Sequence, residues 1–147
     1  MMSPVSIDRY RDQYLMLMDL AVFLRDGRAD RYAEMVAKGH LTENDAFRDR
    51  LARAAIAADW IAIGTHTARA VEPLCRSSWI LWALEQSLDV QQRRLDGMDR
   101  RDPAHEDHVD LRDAIACLLD HYRSGWTATL LAFNSLRPHL AAGAKVA

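Results

Sequence analysis

Cysteine is almost missing from this chain: Cys75 and Cys117 are its only two, and no Cys-x-x-Cys pair occurs. That excludes a disulfide scaffold and a thiolate metal knuckle, and leaves two small buried side chains in a reducing compartment. Glycine and proline are sparse, six and four in 147 residues. They fall at segment ends rather than at the 8–12-residue spacing of an all-β fold. Lysine occurs twice against seventeen arginines, a skew that reads as genomic base composition. No basic stripe exists either. Residues 1–73 hold ten basic and eleven acidic side chains, so the electrostatic footprint of nucleic-acid binding is missing. The longest apolar run, Tyr14 to Leu24, is broken by Asp19 and falls short of the ~20 residues of a membrane span. The N-terminus lacks the charged-then-apolar order of a signal peptide. A cytoplasmic protein with no membrane segment is expected.

What remains is ordinary globular chemistry, 50% hydrophobic and 27% charged, at the length of one domain. Its periodicity is helical. Ile7, Tyr10, Tyr14, Leu17, Ala21 and Leu24 alternate spacings of three and four, which predicts a first helix beginning after Pro4 and ending at Asp26-Gly27. A short second helix is expected over about 29–38. A third runs from Thr42 to about Ala70, with Phe47, Leu51, Ala54, Ala58, Ile61 and Thr65 inward, and with Pro73 marking its end. Leu81, Leu84, Leu88 and Leu95 are the inward stripe of a fourth. The fifth starts near Pro103, presents Leu111, Ile115, Leu118, Tyr122, Thr129, Phe133 and Leu136, is interrupted near Gly125 and stops at Pro138. The expected fold is an all-α, single-domain bundle of four to five helices, intertwined oligomers included, spanning 1–147 with frayed tails at 1–5 and 139–147.

The stretch between Asp30 and Trp60 has the sharpest local signals. Gly39 stands where a helix stops, because glycine takes the left-handed conformation without steric cost. Thr42 follows as an N-cap, and Glu43 and Asp45 set negative charge against the positive end of the next helix. The run Tyr32, Val36, Gly39, Leu41, Thr42, Ala46, Leu51, Ala55, Ile56, Ala58, Asp59 resembles a helical hairpin found in small phage and prophage proteins. Ala33 replaces their frequent proline, and His40 replaces their usual Arg or Lys. The resemblance covers residues 30–60, implies a phage-related origin, and brings no catalytic residues with it.

Chemistry-bearing constellations are few. His105-Glu106-Asp107-His108 is the densest group of metal-ligand types, with His105 and His108 three apart on one helix face. Carboxylate-bridged sites in bundles need Glu-x-x-His on two helices, and no second cluster completes one here. Arg100 and Arg101 precede His105 and His108 by four and six intervening residues. An Arg, four to six residues, then His resembles the catalytic signature of all-helical HEPN-type ribonucleases, which would make Arg101 and His108 the catalytic pair. No Gly-x-Ser-x-Gly elbow and no phosphate-cradling glycine loop occurs. The hairpin at Gly39 is superficially a helix-turn-helix, yet its second arm opens Thr-Glu-Asn-Asp, which repels phosphate.

The reading that follows is a non-catalytic interaction or assembly protein, with no cofactor and no bound metal. Its expected partner is itself, as a homodimer or higher oligomer. Tyr14, Leu17, Leu20 and Leu24 are the expected interface, because the first helix is apolar nearly all round. Trp79 and Trp82, three apart on the fourth helix, join them as interface candidates.

Overall fold

In the computed structural model the backbone is described for residues 5–69 and 75–146, and side chains for 5–69 and 75–136. Among the described residues six helices follow one another: α1 Tyr14–Ala29, α2 Tyr32–Ala37, α3 Glu43–Thr65, α4 Ser77–Asp96, α5 His105–Arg123 and α6 Trp126–Val146. No strand occurs among the described residues, and none of their helices is long and apolar enough to cross a membrane. The expected stop at Pro73 and the first four residues of the N-terminal tail lie outside the described residues.

Glycine chemistry explains the count of six rather than four or five. Gly125 has φ +77 and breaks the long fifth helix in two, α5 and α6. The break resets the helical phase. Thr129, Phe133 and Leu136 therefore lie outside, while Thr127, Leu131 and Asn134 turn inward. The backbone of α6 does not stop at Pro138 but runs to Val146, although proline has no N–H for the carbonyl four residues back.

α1 starts later and ends later than its periodicity suggests. Residues 8–12 form turns, with Gln13 N–H donating to the Tyr10 carbonyl at 3.0 Å, and the helix continues through Gly27 to Ala29. At the α2–α3 corner the local signals hold. Gly39 has φ +73; its N–H bonds the Val36 carbonyl at 3.0 Å, and that of His40 bonds Met35 at 2.9 Å. These two bonds form a Schellman stop. The Thr42 hydroxyl then accepts from the Asp45 N–H at 3.1 Å and caps α3.

α1 lies along α3, α4 and α5 form a hairpin beside it, and α6 closes against α3 and α5. One hydrophobic cluster joins them: Leu17, Leu20 and Leu24 of α1, Ile56, Trp60 and Ile63 of α3, Ile80 and Leu84 of α4, Ile115 and Leu118 of α5, and Leu131 of α6. Buried Ala52, Ala55, Ala57 and Ala62 allow the neighbours of α3 to come close. The face of α3 that turns inward is the opposite of the expected one. Phe47 and Ile61 are 58% and 38% exposed, and Ala54 and Thr65 are also outside. The inward face carries Asp49, Arg53 and Asp59 among its apolar residues. An inward face that includes three charges is invisible to a search for apolar repeats.

Candidate functional site

One cluster of buried charge lies where α1, α2, α3 and α4 meet. On α3, Asp49 and Arg53 are one turn apart, both buried, and Arg53 Nε donates to Asp49 Oδ2 at 2.8 Å. The same carboxylate oxygen accepts the Tyr32 hydroxyl at 2.6 Å and Arg28 Nη1 at 3.2 Å. Tyr32 is held protonated, well above the ordinary tyrosine range, by burial first and then by its bond to the Asp49 carboxylate. Arg53 also donates to the Leu24 carbonyl and to Ser87 Oγ, each at 2.7 Å. Burial lowers the Arg53 pKa and the Asp49 charge opposes that shift. The cluster ties α1, α2, α3 and α4 together at one point.

A cleft of about 420 Å³ opens beside it. Its wall takes Phe23, Leu24, Gly27 and Arg28 from α1, Arg31 and Met35 from the α2 region, and Arg53 from α3. Ser87, Val90, Gln91 and Arg94 of α4 and Leu111 and Ile115 of α5 complete it. Four guanidinium groups and no carboxylate line this space, with only Asp49 behind two of them. Arg53 is committed to the cluster. Arg31 and Arg94 line the cleft, are exposed and have no ion pair among the described residues. The Ser87 hydroxyl accepts from Arg53 and donates to the Ala83 carbonyl at 3.0 Å, which leaves it no base to activate it as a nucleophile. Gln91 Nε2 reaches the His108 carbonyl at 2.9 Å and its Nδ1 at 3.0 Å, fastening α4 to α5 under the floor.

Among the described residues no hydrogen bond joins Arg101 to His108, the expected ribonuclease pair. The Arg101 side chain is 94% exposed beside Asp99, whereas His108 is half-buried against Gln91. Neither lines this cleft or either of two further ones, near His121 and near Ala58. His105 is the first residue of α5, and among the described residues no three His, Cys, Asp or Glu side chains are close enough to hold a metal ion.

The residues of α1 expected at an interface are mostly covered within the chain. Leu17, Leu20 and Leu24 are buried within the single chain, because α3 and α5 cover the faces that a lone amphipathic stripe would leave bare. Tyr14 is half-buried, its ring 6.2 Å from Trp60 and 6.3 Å from His121. Trp79 and Trp82 are both half-buried, and the Arg48 guanidinium sits 5.5 Å from the Trp79 ring centre.

Arg28, Arg31, Arg53 and Arg94 were not legible as a set, since seventeen arginines hide any four. The one available signal was the Asp49–Arg53 spacing of four, which pairs opposite charges on a helix. No family model, curated protein or solved structure matches this chain.

Proposed function

We propose that this chain is a non-catalytic interaction protein and that the arginine-lined cleft is where it holds an anionic partner. The carrying observation is the lining itself: four guanidinium groups without a carboxylate among them, two of which are unpaired. Planar arginine forks match carboxylate and phosphate geometry bidentately, and a concave, partly desolvated site strengthens such bonds. The cleft volume falls within the ~300–1,000 Å³ of small-molecule sites. The lining offers an anion donors and gives a reaction no general base, which favours holding over turnover.

Thermal unfolding with and without pyrophosphate tests this reading. Ten-millimolar-scale pyrophosphate, on the order of 100 times a sub-millimolar Kd, should stabilise the folded chain by about 2–3 kcal/mol. Arg31→Glu/Arg94→Glu should abolish the shift at unchanged helicity. Equal shifts in both proteins would remove the cleft from consideration.

A second reading concerns self-association, moved from α1 to the outer face of α3. Phe47, Leu51, Ala54, Ala58 and Ile61 form an apolar strip there, beside a shallow groove lined by Arg25, Ala54, Ala58 and Ile61. Phe47 and Ile61 lie equally far from Ala54 along the helix, about 10 Å on either side at 1.5 Å per residue. Antiparallel pairing of two copies about a two-fold axis near Ala54 therefore sets each Phe47 against the other copy's Ile61. Phe47→Glu changes an exposed position and should give folded monomers in sedimentation, from a dimeric parent. A parent that is monomeric at high micromolar concentration ends this reading.

A further inference from the structure

We infer that the ligand of the arginine cleft is an amphipathic organic anion, a phosphate or carboxylate head carrying an apolar body. This rests on the anion-binding reading above and adds the chemistry of the rest of the ligand. The lining sets charge and apolar surface side by side. Arg28, Arg31 and Arg94 stand at its exposed or half-exposed positions together with Phe23 and Val90, and its buried part joins Leu24 and Ile115 to Arg53, Ser87 and Gln91, with Met35 and Leu111 half-buried between. A bare inorganic anion would use the guanidinium groups and leave that apolar surface wet. A purely apolar molecule would leave the guanidinium groups unanswered. A head-and-tail anion satisfies both parts at once.

Gly27 supplies an independent observation. It sits inside α1, where glycine costs about 1 kcal/mol relative to alanine. Its φ is not positive, and a Cβ built there would meet nothing within 4 Å, so neither backbone geometry nor packing requires glycine. Gly27 lines the cleft. What the missing side chain provides is open space in the cleft wall beside Leu24 and Arg28.

The test is calorimetric titration of the whole chain with butyl, hexyl and octyl phosphate, with octanoate, with inorganic phosphate, and with octyltrimethylammonium. Alkyl phosphates or carboxylates should tighten by about fourfold per buried methylene until the cleft is filled. Inorganic phosphate should bind at least about tenfold more weakly than octyl phosphate, and the ammonium should not bind. Comparison of octyl phosphate with octanoate tells which head the arginines prefer, and preference for either one supports the inference. Gly27→Leu should remove octyl phosphate binding while raising the thermal midpoint, because leucine favours the helix and enters the cleft. Arg31→Glu/Arg94→Glu should weaken octyl phosphate by about tenfold or more. Affinity independent of chain length, with pyrophosphate still bound, would overturn the amphipathic ligand and leave the anion site standing. Equal binding of the ammonium, or unchanged affinity in Gly27→Leu, would also overturn it. Failure of every anion would overturn both readings together.

Discussion

Asp49 and Arg53 are paired through a 2.8 Å bond between Oδ2 and Nε one turn apart on α3, with both side chains almost wholly buried. Three donors converge on Asp49 Oδ2, so the carboxylate is the point on which Arg28, Tyr32 and Arg53 all depend. Removing it leaves a buried guanidinium and a buried hydroxyl without that acceptor. Asp49→Ala should therefore cost about 3–5 kcal/mol of unfolding free energy in urea titrations. Asp49→Ala/Arg53→Met removes the stranded charge as well and should recover most of that loss. A single variant within about 0.5 kcal/mol of the parent would show that the cluster is not what holds α1, α2 and α4 to α3.

Gly64 of α3 faces Met18 of α1 so closely that a Cβ there would lie 2.7 Å from Met18 Sδ and 3.0 Å from Met18 Cβ. Helix propensity alone favours alanine by about 1 kcal/mol, and overpacking opposes it by about 1–3 kcal/mol. Because the contact includes Met18 Cβ, the backbone of α1 has to move, and overpacking wins. Gly64→Ala should lower stability by about 1 kcal/mol. In a Met18→Gly background, which removes that Cβ as well, the same change should cost close to nothing. Additive losses in the double-mutant cycle would disprove the contact.

His66 closes α3 in the left-handed region at φ 56, where the His66 N–H bonds the Ile63 carbonyl and that of Thr67 bonds Ala62 at 2.9 Å. The pattern repeats the stop at Gly39, with a Cβ strained against the backbone. The histidine is exposed, so its side chain does not repay that strain by packing. His66→Gly should raise stability by about 0.5–1 kcal/mol after the unfolded-state entropy of glycine is counted. His66→Ala keeps the Cβ and should stay near the parent. Equal effects from both variants would point away from backbone strain.

His121 is buried against the Trp60 ring at 5.0 Å, and its Nε2 lies 3.0 Å from the Arg11 carbonyl. A carbonyl only accepts, so Nε2–H donates; Nδ1 is buried without a hydrogen-bond partner. Burial lowers the His121 pKa, opposed by that bond and by Asp120 and Asp12, with Arg11 adding to the lowering. A histidine with a depressed folded pKa binds fewer protons folded than unfolded. Its contribution is present above the ordinary value near 6.5 and is lost as pH falls below it. Unfolding free energy should thus decline below about pH 6.5, by at most about 1.4 kcal/mol per pH unit for one proton. Asp59, whose pKa is raised by burial, acts in the opposite sense at lower pH. His121→Gln retains a donor for Arg11 and should flatten the slope between pH 5 and 6.5. An unchanged slope would assign it to another group.

Local chemistry made some elements legible. The Gly39 stop, the Thr42 cap and the break at Gly125 depend on residues within a few positions of each other, so they can be read before any tertiary contact is known. Gly27 resembles Gly39 in the sequence but lies within α1, without a positive φ, because its neighbours continue the helix to Ala29. The faces of α3 are the deeper case. Phe47, Leu51, Ala54, Ala58 and Ile61 form one helical stripe, and Ala52, Ala55, Ile56, Trp60 and Ile63 form another. Periodicity favoured the stripe free of charges. Burial fell on the one that contains Asp49, Arg53 and Asp59, since partners from α1, α2, α4 and α5 neutralise or hydrogen-bond them.

Helical class, the sharp corner at Gly39–Thr42 and the lack of a membrane-length apolar helix were determined by the amino-acid sequence alone, because each follows from residue spacing or local backbone preference. Which face of α3 turns inward, which apolar residues of α1 are already covered, and where four distant arginines meet were decided only by tertiary packing. Hydrophobic periodicity reports how apolar a face is, whereas burial of a charge depends on whether other helices bring it a partner. That partnership is a property of positions brought together across the chain, and it is what places Arg28, Arg31, Arg53 and Arg94 around one cleft.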